Sequence, residues 1–165
     1  MRLHRRTGGR RARGQALVEI ALALPVFLLL LFGLFDIGRL VFIYVGLTNS
    51  AREGARLAIV NQDKSMIADR IQGMALATEV SNLGDLNDLV SFHRQNPNLA
   101  DPLANPECSP PAINCIAVVR PRTTWTLLTP VIGDLIGPID LEARTELPIE
   151  FTCPNAYWAS CPRQP

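Results

Sequence analysis

The chain has 165 residues, 48% of them hydrophobic and 19% charged, with a formal net charge of +1. That length accommodates one modest domain and excludes a large enzyme with its own cofactor domain. Six arginines (Arg2, Arg5, Arg6, Arg10, Arg11 and Arg13) and no acid lie in residues 1–14. The remainder therefore sets ten basic against fifteen acidic groups, a body of about −5 that repels phosphate and excludes a basic nucleic-acid-binding domain.

Residues 20–35, IALALPVFLLLLFGLF, carry no charge, and extending the stretch back to residue 15 adds one ionisable group, Glu19. As a helix this stretch spans roughly 30 Å, the thickness of a bilayer's hydrocarbon core. A transmembrane helix over about residues 16–37 is the expectation, because a domain this small cannot surround a helix that is apolar all round. Pro25 is compatible with it. The arginines precede the segment, whereas its far side offers Arg39 and Arg52, partly balanced by Asp36. The positive-inside rule then gives a single-pass protein of the cytoplasmic membrane, with its N-terminus in the cytoplasm and the rest extracytoplasmic. A secretory signal peptide is the direct competitor, but small residues spaced as A-x-A occur only at Ala21 and Ala23, at the start of the apolar run. The pair Arg5-Arg6 lacks the apolar residues of a twin-arginine signal.

Gly14 follows Arg13 and is itself followed by Gln15, Ala16, Leu17, Val18 and Glu19. A carboxylate at a helix centre costs roughly 2.5–3.5 kcal/mol on insertion and less near the interface. Glu19 therefore either reaches water or Arg13 near the cytoplasmic surface, or acts with a partner inside the membrane. A basic leader, glycine, four residues, glutamate and an apolar run resemble the start of type IV prepilins. The resemblance implies that a prepilin peptidase cuts after Gly14, that Gln15 becomes the new N-terminus, and that Glu19 aligns subunits in the filament. Gln15 stands where many major pilins place an aromatic residue. The longer stretch GQALVEIALALPVFLLLLFGLFDIGRLVFIYVGLTNSAREGARLA closely resembles the TadE-like family of tight-adherence (Flp) pilus systems, through its glycine-to-glutamate start, Pro25, Asp36 and Arg39, and the run from Thr48 to Arg56. Members of that family are pseudopilins or minor pilin-like proteins. The resemblance implies prepilin peptidase, other pilin-like subunits and pilus assembly proteins as partners; the apolar run adds membrane lipid, and no cofactor and no nucleic acid are expected.

Beyond residue 35 the apolar pattern continues, so one helix over residues 15–60 is expected, about 70 Å long and half of it projecting from the bilayer. Asp36 and Arg39, three apart, read as a partly solvated surface pair near the outer headgroups, worth a few tenths of a kcal/mol. Ala51, Gly54, Ala55 and Ala58 recur at three- and four-residue spacing and form a narrow face open to close approach. Arg52 and Arg56 stand one turn apart on another face, with Glu53 beside them. Two readings stay open: a solvated face above an alanine-rich core contact, or a docking face for the globular domain or a neighbouring subunit.

The extracytoplasmic part, residues 61–165, begins with an amphipathic pattern over residues 64–80 that predicts a second helix. Residues 82–111, rich in Asn, Asp and Pro, read as a loop. Residues 116–119 and 123–128 read as strands, residues 139–151 alternate apolar with polar, and Gly133, Gly137 and Pro138 punctuate the connection between them. The expected fold class is α+β: a long N-terminal transmembrane helix, then a small pilin-like domain of one helix and a three- or four-stranded antiparallel sheet.

Cys108, Cys115, Cys153 and Cys161 all fall in this part. Their spacing does not suit paired metal hooks, and an oxidising exterior favours disulfides. Three pairings are open; the local ones, Cys108 with Cys115 and Cys153 with Cys161, are expected to staple loops that a small core could not order unaided. Catalysis has little support: His4 lies in the basic arm, His93 stands alone in a polar loop, and Glu142, Glu146 and Glu150 share the solvent side of a strand. No catalytic, cofactor-binding or metal-binding residue is assigned. The expected function is that of a structural pseudopilin or minor pilin. The alternative is an uncleaved single-pass anchor carrying an extracytoplasmic binding module, and an enzyme on the same tether is a poorer third.

Overall fold

The computed structural model describes residues 9–75, 80–96 and 98–152. Helix α1, Gly9–Ala58, has 50 residues and contains Pro25, giving a rod of about 75 Å. It starts ahead of Gly14 rather than at residue 15. Its C-terminal turn tightens, with Val60 N and Asn61 N both donating to Leu57 O at 3.1 and 2.8 Å. Two residues on, Ile59 O accepts from Glu150 N and Phe151 N at 3.1 and 3.0 Å, so a distant part of the chain satisfies a group that a helix end leaves open.

Helix α2, Lys64–Met74, starts at Asp63, whose side chain accepts from Ser65 N at 3.0 Å. It buries Ile67, Ala68 and Ile71 and is shorter than the expected 64–80. Residues 82–111 are not simply a loop. They contain a one-turn helix α3, Leu86–Leu89, capped by Asp85, strand β1, Val90–Arg94, and a 3-10 turn, Pro102–Ala104, capped by Asp101. His93 is accordingly not in a polar loop. It is 5% exposed in β1, with Nδ1 2.9 Å from Asn105 O.

Strands β2, Cys115–Val119, and β5, Thr145–Pro148, complete a three-stranded antiparallel sheet in the order β1-β2-β5. Strand β3, Arg122–Trp125, pairs with β4, Ile139–Glu142, as a second sheet. The expected strand over 123–128 thus stops at Trp125, and the expected single run over 139–151 is two strands. The register does not change across the break: Val119 faces Thr145 and Arg122 faces Glu142 with the same offset. The two sheets are one antiparallel ribbon, interrupted where Pro121 has no N–H to give to the ladder.

Asn82 lies on the other edge of the ribbon, the side that carries β1. Its Nδ2 donates to Arg120 O at 2.8 Å and its Oδ1 accepts from Arg122 N at 3.0 Å, satisfying backbone groups beyond the last β1 pairing. Asp88 adds ion pairs to Arg120 and Arg122 at 3.1 and 2.9 Å. On the sheet, Val90, Phe92, Ala117 and Val119 join the same core as Ile67 and Ile71 of α2 and Ala51, Ala55 and Ala58 of α1. Cys108 and Cys115 form a disulfide. Cys153 and Cys161 lie outside the described residues.

Candidate functional site

The site of interest is α1 itself and the surface where the rest of the chain meets it. From residue 14 to residue 30 every described residue of α1 is exposed, including Leu17, Leu22, Phe27 and Leu30 at 50% or more. Among the described residues no other part of the fold covers this half, as a membrane-crossing helix requires. One helical stretch among the described residues, Gly14–Ala58, is long and apolar enough to cross a bilayer.

Gly14 lies inside the helix, and an added Cβ there would meet nothing within 4 Å. Close packing within the chain therefore does not account for that glycine. Gln15 and Glu19 occupy one face a turn apart, Gln15 Nε2 donating to Glu19 Oε1 at 3.3 Å. Both are exposed.

The other half of α1 is a docking rail. Leu47, Ser50, Ala51, Gly54, Ala55 and Ala58 are buried, at the three- and four-residue spacing of one helical face. At Gly54 a Cβ would come within 2.5 Å of Ile71 Cγ1 and 2.8 Å of its Cδ1, so α2 crosses α1 where only glycine leaves room. Arg52 and Arg56 point to the exposed side. Glu53 accepts from Arg70 of α2 at 2.5 Å and from Arg56 at 3.4 Å.

Asp36 differs from its expected role as a partly solvated surface group. It is 2% exposed and lies far below the α2 crossing, where the ribbon's tip returns to α1. Its Oδ1 accepts from Leu128 N at 3.0 Å, and its Oδ2 accepts from Thr129 N at 3.1 Å and from Thr129 Oγ1 at 2.6 Å. Arg39 is a longer contact at 3.4 Å. Thr129 is the N-cap of a short helix, α4, Pro130–Ile136, yet its side chain makes no capping bond there; the hydroxyl goes to Asp36 instead. The ribbon is thus tied to α1 at both ends, at the Ile59 carbonyl and at the Asp36 carboxylate.

Residues 14–56 match the family model for TadE-like proteins. The N-terminal part of this chain is TadE-like. No curated protein and no solved structure matches the chain. The TadE-like match takes in Gly14, Gln15 and Glu19, the exposed apolar half, Asp36, the buried Ala51, Gly54 and Ala55 of the rail, and the exposed Arg52 and Arg56. The exposed apolar half of the helix has the length and composition of a membrane anchor. Beyond the TadE-like segment, no cluster of His, Cys, Asp and Glu suited to a metal occurs among the described residues.

The residues missed at the sequence level are Leu128 and Thr129. A signal for them existed: an acid at the edge of an apolar helix needs donors, and the argument applied to Glu19 holds equally for Asp36.

Proposed function

We propose that this chain is a pseudopilin or minor pilin of a tight-adherence pilus system, processed after Gly14 by a prepilin peptidase and acting structurally in assembly. The observation that carries the proposal is the TadE-like match over residues 14–56, which opens on Gly14. A glycine inside a helix costs about 1 kcal/mol relative to alanine. Gly33 and Gly38 are equally open on the same helix, so what marks Gly14 for cleavage is its place at the head of the match, with Glu19 five residues on. The continuity of α1 across residues 14 and 15 means that a peptidase must open the helix to reach the bond, and glycine makes the opening easier.

After the cut, the ammonium of Gln15 and the carboxylate of Glu19 would stand at the head of an uncovered apolar helix. In low dielectric a carboxylate on one subunit and an ammonium on the next attract strongly where geometry permits. The partners are then prepilin peptidase, other pilin-like subunits and assembly proteins, with the domain held on the extracytoplasmic side. The test is the intact mass of the protein recovered from membranes of cells with and without active prepilin peptidase. A chain beginning at Gln15 only where the peptidase is active is expected. An intact Met1 form in both would leave an uncleaved membrane-anchored module and overturn the processing.

A further inference from the structure

We propose that the tip of the ribbon, residues 128–137, is a lipid-contacting foot that rests on the outer surface of the membrane crossed by α1. This rests on the reading of α1 as the membrane span. Three observations converge on it. The first is placement: Asp36, which holds the tip, lies 22 residues beyond Gly14, about 33 Å along a helix and so at the far boundary of a hydrocarbon core about 30 Å thick.

The second is exposure. Outside α1, the two most exposed large apolar side chains among the described residues are Leu135 and Leu128, at 86% and 70%, and Ile136 adds 55%. All three belong to this tip, and Leu128 lines a common cavity with Phe32 and Phe35 of α1. The third is a cavity of about 370 Å³ beside the tie, lined by Phe32, Phe35, Asp36, Arg39, Leu128 and Thr129. Its aromatic floor suits an acyl chain. Arg39, with its side chain 41% exposed, supplies the positive charge that a headgroup phosphate at that level would meet.

Asp134 is also exposed on α4, so the foot lies in the interface and not in the core. Insertion of its leucines by roughly 5–10 Å into the headgroup–acyl boundary is the matching depth. The contact fixes the domain's height above the membrane and resists its tilting about α1.

The experiment uses the full-length chain in phospholipid nanodiscs, with the fluorescent amino acid dansylalanine placed at residue 29, 135 or 113 and with lipids brominated at shallow or deep acyl positions. Residue 29 reports the span, and Ile113, exposed in the disulfide loop, reports water. Shallow bromines are expected to quench residue 135 to within about twofold of the quenching that deep bromines give at residue 29, while residue 113 is unaffected. Quenching at 29 with none at 135 overturns the foot and leaves the span intact. No quenching at 29 removes the span and with it the foot. A blue-shifted emission at 135 that bromines do not quench, and that grows with the protein-to-lipid ratio, assigns the tip to a second copy of the chain and overturns the lipid contact.

Discussion

Asp36 and Thr129 are 93 residues apart in sequence and joined by a hydrogen bond of 2.6 Å from the threonine hydroxyl to the carboxylate. The threonine amide adds a second bond at 3.1 Å and the Leu128 amide a third at 3.0 Å. Three donors on one carboxylate form a closed site, and hydrogen bonds to a charged acceptor are about twice as strong as neutral ones. This tie sits directly after the charge-free run of α1, residues 20–35, so it couples the tip of the ribbon to that level of the helix.

Replacing Thr129 by valine keeps the side chain's volume and both amide donors but removes the hydroxyl. A buried charged acceptor that loses a donor costs about 1.5–3 kcal/mol. The expected result is local: amide hydrogen exchange at Leu128 and Thr129 accelerates by about ten- to a hundredfold, while the amides of β2 keep their protection. Unchanged exchange at the tip would show that the hydroxyl does not hold it.

Gly54 makes the opposite kind of prediction, in which adding one methyl destabilises. In Gly54→Ala the new Cβ falls 2.5 Å from Ile71 Cγ1 and 3.3 Å from Val119 Cγ1, and Ile71 is fully buried with no space to withdraw into. Overpacking of this kind costs about 1–3 kcal/mol, against a gain of about 1 kcal/mol in helix propensity. The urea midpoint of the full-length protein in micelles should therefore fall. The same substitution in an Ile71→Ala background should be neutral or stabilising, because the clash is gone and the propensity gain remains. Stabilisation by Gly54→Ala alone would contradict the close crossing of α1 and α2.

What could be read from the sequence divides along physical lines. The apolar helix, the start of α2 and the Cys108 to Cys115 staple depend on local composition and spacing, and they are found where composition and spacing put them, although α2 ends at Met74 and short of residue 80. Strand β1 was hidden because VSFHR is short and sits among Asn, Asp and Pro residues that look like a loop; it is ordered by Val90 and Phe92 entering a core built by distant elements. The division at residues 143–144 was invisible because alternation continues through it, and the cause, Pro121, lies on the opposite strand. Asp36 was seen as a residue but not as a tie, since its partners are contributed by a turn that only the folded ribbon brings back to α1.

Asp101 supplies a pH-dependent link between the 3-10 turn and the ribbon. Its side chain accepts a hydrogen bond from Arg144 and caps the turn through Leu103 N at 3.0 Å. The Arg144 hydrogen bond first, and the Leu103 amide second, hold the Asp101 carboxyl below the ordinary aspartate value. A carboxyl lowered in the folded state binds fewer protons there than in the unfolded chain, so its contribution is fully present above the ordinary aspartate value and is lost as pH falls through the folded one. Asp101→Asn keeps an acceptor for Leu103 N but removes the charge that meets Arg144. Urea midpoints measured for both proteins from about pH 7 to about pH 3 should show wild type more stable at the neutral end and the difference shrinking towards the acid end. Because the pair is largely exposed, solvent and salt screen it, and added salt should narrow the same gap at neutral pH. A gap that stays constant across the range would place the effect of Asp101→Asn in the cap and not in the ion pair.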